Sequence, residues 1–358
     1  MREGKREKIM DFTFSEDQLL FQESVHDFLV NEVTPEKIRE LWESETGRSP
    51  ELWAQLAEMG LTGITVPEDF GGLGMQMLDF VLLAQECGYV ALPAPLVHTA
   101  MVAVPLIVNS KSDSLQQTWL PKIAAGEAVI MVGLEQNVFV EDAHIADLLI
   151  LEKAGALYSV DPQAATLRAN ESVDLSRKLF VVEFDEAKAE KIAEGDTAQT
   201  LIEAARNGGA LGVAAEALGL AQRMVDISVQ YTGERKQFGV AIGTFQAVKH
   251  HMANIAYRLE YAKAPAARAA YAIDNGQDNI SMAVSHVKLA ACEAANLAAK
   301  NCIQVHGAMG YTWEVDLHIY MKRAWAYANT WGDAAFHKQR VAEYVLADGA
   351  KLGAGNTF

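Results

Sequence analysis

Apolar positions recur at helical spacing over most of this chain and give way to short β-favouring runs in its middle. Ser15-Glu16-Asp17-Gln18 has the form of a capping box, and Leu19, Phe21, Val25, Phe28 and Leu29 follow on one helix face. Ser49-Pro50-Glu51 sets an N-cap, a first-turn proline and a dipole-matched acid ahead of Leu52, Trp53, Leu56 and Met59, and Gly60 ends that helix. The loop Gly71-Gly72-Leu73-Gly74 leads into another apolar helix through Tyr89, and Leu96 to Gly126 reads as further helix with breaks at Pro121 and Gly126. Between Ala128 and Glu194 the runs Val129-Ile130-Met131-Val132, Leu148-Leu149-Ile150-Leu151 and Phe180-Val181-Val182 predict short strands separated by turns. From Leu201 onward, long alanine-rich helices with breaks near 233–243, 275–279 and 307–310 suit a four-helix bundle. Pro265 is expected to kink or split the helix from Thr244 to Asn275. The pattern therefore predicts a mainly α protein with a small β domain: a helical domain over 1–126, the β domain over 127–195 and a helical bundle over 196–358.

The composition narrows this picture. With 358 residues, half of them apolar and 22% charged, the chain reads as a folded protein of two or three domains or subdomains. A net charge of −17 argues against nucleic acid, because binding a polyphosphate needs a concentrated basic face. No window reaches about 18 consecutive apolar residues, so no membrane span is expected. Met1 to Lys8 is charged and lacks the apolar run of a secretion signal, and Met10 is read as the original start. Cys87, Cys292 and Cys302 lie inside apolar helical patterns, the usage of reduced, buried thiols in a cytoplasmic protein.

Candidate chemistry concentrates in the turn Gly233-Glu234-Arg235-Lys236-Gln237-Phe238-Gly239, which joins two long helices. A guanidinium followed by backbone N–H groups suits a diphosphate, Phe238 can cover a ring, and Gly239 allows close backbone approach. Taken alone, the turn reads more readily as a solvated connection. His250 and His251 adjoin it, and Glu23-Ser24-Val25-His26 has the Glu-x-x-His spacing of a di-iron helix. Such a centre needs that motif on two helices plus two further glutamates, so no metal is expected. His306 and His318 read as packing or capping residues.

Three segments in the same order resemble those of the acyl-CoA dehydrogenase family: Gly60 to Gly74, Arg235-Lys236-Gln237-Phe238 on to Gln246, and Gln304-Val305-His306-Gly307-Ala308-Met309-Gly310-Tyr311. Helices, a small β domain and a helical bundle also match that family's layout. The resemblance implies FAD, its diphosphate and adenosine held by Arg235, Phe238 and Gln246 of one subunit. It implies that Gln304, Gly307 and Ala308 meet the same cofactor as a backbone strip of the neighbouring subunit. Ala308 stands where the family usually has a second glycine.

The implied chemistry is α,β-dehydrogenation of an acyl-CoA: a carboxylate takes the α-proton, the flavin takes the β-hydride, and an electron-transfer flavoprotein accepts the electrons. The two places where family members carry that glutamate fall on Gly209 and Trp331, so both expected carboxylates are absent. Trp331 is expected to fill the space. Glu203, Glu216 and Asp333 lie nearby in sequence as substitutes, although Glu216 is expected to face a helix neighbour or solvent and Asp333 to cap the last helix. The middle domain has Val132-Gly133-Leu134-Glu135-Gln136-Asn137 in place of the family's flavin-lining segment, and its sheet is shortened.

These features resemble one subunit of the bacterial α2β2 acyl-CoA dehydrogenases of steroid side-chain breakdown, in which a second, similar chain would supply the base. The alternatives are a self-sufficient homo-oligomer with a displaced carboxylate, a flavin monooxygenase on the same fold, and a non-catalytic structural subunit.

Overall fold

The computed structural model describes residues 13–350 and 352–353; Met10 and the charged segment Met1 to Lys8 lie outside them. The helices α1 (Glu16–Glu32), α2 (Pro35–Glu43), α3 (Pro50–Glu58) and α4 (Met77–Tyr89) come first. The capping box of α1 forms as expected, with Ser15 Oγ accepting from Gln18 N–H and the Gln18 side chain accepting from Ser15 N–H. Next come α5 (Leu96–His98), a π-helical turn at Thr99–Ala103, α6 (Val104–Ser110) and α7 (Asp113–Ala124). Pro121 does not break this region as expected, because it sits inside α7. The break falls at Lys111, whose backbone is left-handed at φ 55°, and at Ser112, the N-cap of α7.

The strands run from β1 (Ile130–Gly133) through β2 (Val140–Glu141), β3 (Leu148–Lys153), β4 (Ala156–Val160), β5 (Thr166–Asn170) and β6 (Leu179–Glu183) to β7 (Glu190–Ala193). Among the described residues they form one sheet in the order β1-β3-β4-β7, with β1 parallel to β3, and a second in the order β2-β6-β5. Alternation along the strands decides what each side chain meets. Ile130, Val132, Leu148 and Ile150 join the helical core, whereas Met131, Leu149 and Leu151 pack with Val140 of the second sheet. Strands buried on both faces need unbroken apolar runs, which is why β1 and β3 were legible as such.

The C-terminal bundle consists of α8 (Gly195–Glu234), α9 (Gln246–Asp274), α10 (Ile280–His306) and α11 (Leu317–Tyr327), and α12 (Ala334–Val345) packs on α10. A short hairpin of β8 (Lys236–Gln237) and β9 (Val240–Ala241) links α8 to α9. Pro265 does not split α9, which runs through it unbroken. α4 lies across α8 and α9 and closes the N-terminal helices onto the bundle.

Candidate active site and cofactor strip

Residues 208–221 of α8 contain a single charge, Glu216, in an otherwise Gly, Ala, Leu and Val run. That composition buries the segment from every side, with α4 on one flank and the π-helical turn on another. At Gly209 an added Cβ would lie 2.3 Å from the Trp331 indole, so the two places expected to carry the base meet in space and the tryptophan occupies both. Trp331 itself is left-handed at φ 57°. Its carbonyl accepts from His337 Nε2 (3.0 Å), and Ser285 Oγ donates to His337 Nδ1 (3.0 Å). The buried Lys288 ammonium donates to Tyr327 O (2.9 Å) at the C-terminus of α11, where the helix dipole favours a cation. Burial holds the His337 imidazole down to about 4, which keeps it neutral, and the Trp331 carbonyl, which can only accept, sets the tautomer.

Beyond Trp331 a cavity of about 60 Å³ is lined by Glu216, Tyr327, Arg323, Arg48 and His98. It adjoins an outer cleft of about 540 Å³, and His98, Glu141, Thr330 and Trp331 line both. Val132 N–H donates to His98 Nε2 (3.0 Å), leaving the proton of the neutral ring on Nδ1, and burial pushes this imidazole down to about 4.

Glu216 is buried, not solvent-facing; its neighbour is the hydroxyl of Tyr327, which donates to Oε1 (2.9 Å). Around it stand three guanidiniums with their own carboxylates. Arg323 pairs with Asp174, Arg177 with Glu141 (2.9 Å) and Arg48 Nε with Asp142 (2.9 Å). Glu216 is left with a neutral partner. Burial raises its carboxyl from 4.5 to about 7, against the opposing charge of Arg323 and the Tyr327 hydrogen bond.

This shift carries a sign. Below pH 4.5 Glu216 is protonated folded and unfolded alike. Between 4.5 and about 7 the unfolded chain loses the proton first, so stability falls as pH rises, and above about 7 the loss is complete at about 3 kcal/mol. His98 and His337, both depressed, act in the opposite direction on acidification. The prediction is therefore read as a difference: Glu216→Gln gains stability over the parent from pH 5 to pH 8 in urea unfolding, and a flat difference would refute it.

The other two candidate carboxylates are engaged elsewhere. Glu203 pairs with Arg340 and Arg206 and accepts from Ser281 Oγ (2.7 Å). Asp333 borders the outer cleft, and its Oδ1 accepts from Phe336 N–H (2.8 Å) as the N-cap of α12, as expected. His306 packs as a ring on Tyr231 (4.2 Å between centroids), and its Nδ1 bonds Cys302 O (2.7 Å). His318 lies buried between Trp42 and Trp313. His26 Nδ1 pairs with Glu86 Oε2 (2.6 Å). His251 contributes its carbonyl to Asn301 Nδ2 (3.3 Å).

Arg235, Phe238, Gln246, Gln304, Gly307 and Ala308 are all solvent-exposed, Phe238 to 93%. The Tyr231–His306 stack ties the end of α8 to the end of α10, so the two expected cofactor segments stand side by side at one end of one chain's bundle. Helix geometry adds a second fact: at 1.5 Å per residue, Arg235 lies about 39 Å along α8 from Gly209. A dinucleotide gripped at this end cannot reach the Trp331 cleft of the same chain. The strip suits a diphosphate. Arg235 has no ion pair among the described residues, and Phe238 and Gly239 turn the hairpin through φ 53° and 83°. Gly307 adopts φ 60°, ψ −136°, where an added Cβ would meet nothing and would itself take up the open space.

Residues 15–127 match the N-terminal domain of acyl-CoA dehydrogenases and residues 199–346 match their C-terminal domain. A curated relative, acyl-CoA dehydrogenase IpdE2 of Mycolicibacterium smegmatis, is 31% identical over 333 residues, covering 93% of this chain and 100% of its own. This chain belongs to the acyl-CoA dehydrogenase family. IpdE2 of Mycobacterium tuberculosis is likewise 31% identical, over 86% of this chain and 91% of its own. In fold, the chain superposes on a chain of the ChsE4–ChsE5 complex of Mycobacterium tuberculosis with a TM-score of 0.83 at 22% identity, over 94% of this chain and 99% of that one. Butyryl-CoA dehydrogenase of Megasphaera elsdenii gives 0.84 at 19%, over 94% and 100%. The family is flavin-dependent, and its members are oxidoreductases acting on a CH–CH bond of an acyl-CoA. No helix among the described residues is long and apolar enough to cross a membrane.

The buried pairs Arg323–Asp174 and Arg48–Asp142 escaped the reading of the sequence, because 149 and 94 residues separate their partners. Glu216 left a usable trace, a lone carboxylate in a long apolar helix.

Proposed function

We propose that this chain is one subunit of a cytoplasmic FAD-dependent acyl-CoA dehydrogenase, assembled as α2β2 with a second acyl-CoA dehydrogenase-like chain and acting on a steroid-derived CoA ester. The observation that carries this reading is the Trp331 indole packed on Gly209, which leaves no room for a carboxylate at either place where the family carries its base. The partner chain supplies that carboxylate. The α-proton passes to it and the β C–H pair leaves as hydride, giving an α,β-unsaturated thioester.

FAD, when bound, supplies the hydride acceptor, and an electron-transfer flavoprotein takes the electrons onward. The strip described above supports a cofactor shared across the unlike interface. The Arg235 guanidinium and the hairpin N–H groups hold the diphosphate, Phe238, Gln246 and Gln304 hold the adenosine end, and the backbone at Gly307 and Ala308 passes close to it. The steroid substrate and the mixed assembly are supported by the ChsE4–ChsE5 complex and by a solved Tcur3481–Tcur3483 steroid acyl-CoA dehydrogenase of the same fold.

Purification alone and after co-expression with a neighbouring dehydrogenase-like gene tests this. The co-purified assembly is expected to be yellow and to oxidise CoA esters, with the isolated chain at least about 100-fold slower for want of a base. Full activity of the isolated chain would overturn the proposal. A second reading, Glu216 as a displaced base in a homo-oligomer, draws on its place in the cavity wall and its raised carboxyl. Isolated-chain activity abolished by Glu216→Gln would establish it.

A further inference from the structure

We infer that Arg323 is a latch shared between two carboxylates. It holds Asp174 while Glu216 carries its proton, and it turns to Glu216 once that proton is lost, which frees the loop ahead of β6.

Place is the first ground. Arg323 pairs with Asp174, and its Nη1 also lies 3.4 Å from the Tyr327 hydroxyl, which in turn donates to Glu216 Oε1 (2.9 Å). One phenol therefore separates the guanidinium from its second carboxylate, so a change of partner needs a side-chain rotation and no movement of α11. The second ground is charge. Arg48, Arg177 and Arg323 face Asp142, Glu141 and Asp174, three against three, around a cavity of about 60 Å³. Glu216 stands outside this balance, and its ionisation sets four buried negative charges against three positive ones. The other groups that face it bring no counter-charge. α4 presents the Cys87 thiol, which burial pushes up, and burial keeps the His98 imidazole neutral. Residues 208–221 of α8 carry no charge besides Glu216 itself.

The third ground is which carboxylate can yield. Glu216 is fixed in the middle of α8, where its backbone meets α4 at Gly88. Asp174 lies in a loop whose flanking side chains, Val173 and Leu175, are 54% and 43% exposed, and the Lys322 ammonium stands near it as an alternative partner. The carboxylate that can reach water is the one that leaves. Burial holds the Glu216 carboxyl up to about 7, so the latch is closed at pH 6 and open at pH 8.5. Asp174 Oδ1 accepts from Ser176 N–H (3.1 Å) and its carbonyl from Arg177 N–H (3.0 Å), so its release also exposes those amides. The loop borders the end of the cofactor strip: Ser176 Oγ accepts from Trp42 Nε1 (2.7 Å), and Trp42 meets Trp313 edge-on just beyond that strip.

Hydrogen exchange of the full-length chain tests the latch, read by mass spectrometry on a peptide spanning 171–178 at pH 6 and pH 8.5 and corrected for intrinsic rates. The parent is expected to exchange there at least about 10-fold faster at pH 8.5, because local opening sets the rate. Glu216→Gln keeps an acceptor for Tyr327 without a charge and is expected to stay protected at both pH values. Titration elsewhere, that of the raised Asp142 carboxyl included, then cancels in the difference. Asp174→Asn lacks the charge that Arg323 holds and is expected to exchange fast at both. Equal protection of the parent at the two pH values would overturn the inference, as would protection of Asp174→Asn at both or the same rise in Glu216→Gln. A rise shared equally by the amides of β1 and β3 would overturn it too, since it marks global unfolding and not a latch.

Discussion

Alanine at Arg323 is expected to cost about 3–5 kcal/mol of folding stability, the penalty for removing one member of a buried ion pair. Arg323 and Asp174 are 3% and 2% exposed, and the pair joins α11 of the bundle to the loop ahead of β6. Arg323 also donates to Leu92 O (3.3 Å), so one side chain holds the N-terminal helices, the β domain and the bundle to each other. Its loss strands Asp174 as an uncompensated buried carboxylate and removes the positive charge that restrains Glu216. The carboxyl of Glu216 should then titrate above its present value of about 7. Urea unfolding of Arg323→Ala, of Asp174→Leu and of the double variant Asp174→Leu/Arg323→Met separates the causes. The double variant should recover much of the loss, since an apolar replacement of both partners leaves no orphaned charge. A single Arg323→Ala variant as stable as the parent would show that the pair holds nothing together.

Gly219→Ala is expected to be nearly as damaging, at about 3 kcal/mol. A Cβ there would lie 1.9 Å from Gln85 O and 2.5 Å from Tyr89 N, and Gly88 faces Glu216 O at 2.0 Å in the same way. Both obstacles are backbone, which cannot rotate aside as a side chain can, so α4 and α8 must move apart. Because Glu216 lies in this crossing, the displacement should also disturb the cavity, seen as a changed pH dependence of stability. Gly233→Ala is the control. Its Cβ would meet nothing, and alanine in a helix is favoured over glycine by about 1 kcal/mol, so this variant should be slightly more stable. If the two variants behaved alike, close packing at the α4–α8 crossing would not be the cause.

Legibility followed the range of the interactions. The capping box at Ser15, the N-cap of α3 at Ser49 and that of α12 at Asp333 are contacts across three residues, and each formed as expected. The proline rules misled at Pro121, and at Pro265 for a split helix, where packing of α7 and α9 against their neighbours outweighs the missing backbone hydrogen bond. The two candidate cofactor segments were named from the sequence, but that they stand at one end of the same bundle depends on the Tyr231–His306 stack, a contact across 75 residues.

By itself the amino-acid order determined the helices and strands, the family, and the absence of a carboxylate at Gly209 and Trp331, since these follow from periodicity, capping and residue identity along the chain. Only the tertiary structure decided that Trp331 lies on Gly209, that Glu216 is buried beside a hydroxyl and not a guanidinium, and that the Arg235 turn stands far from its own chain's cleft. Those outcomes depend on which distant segments are brought into contact, and the protonation of a carboxyl depends on the solvent and charges that such contacts remove or supply.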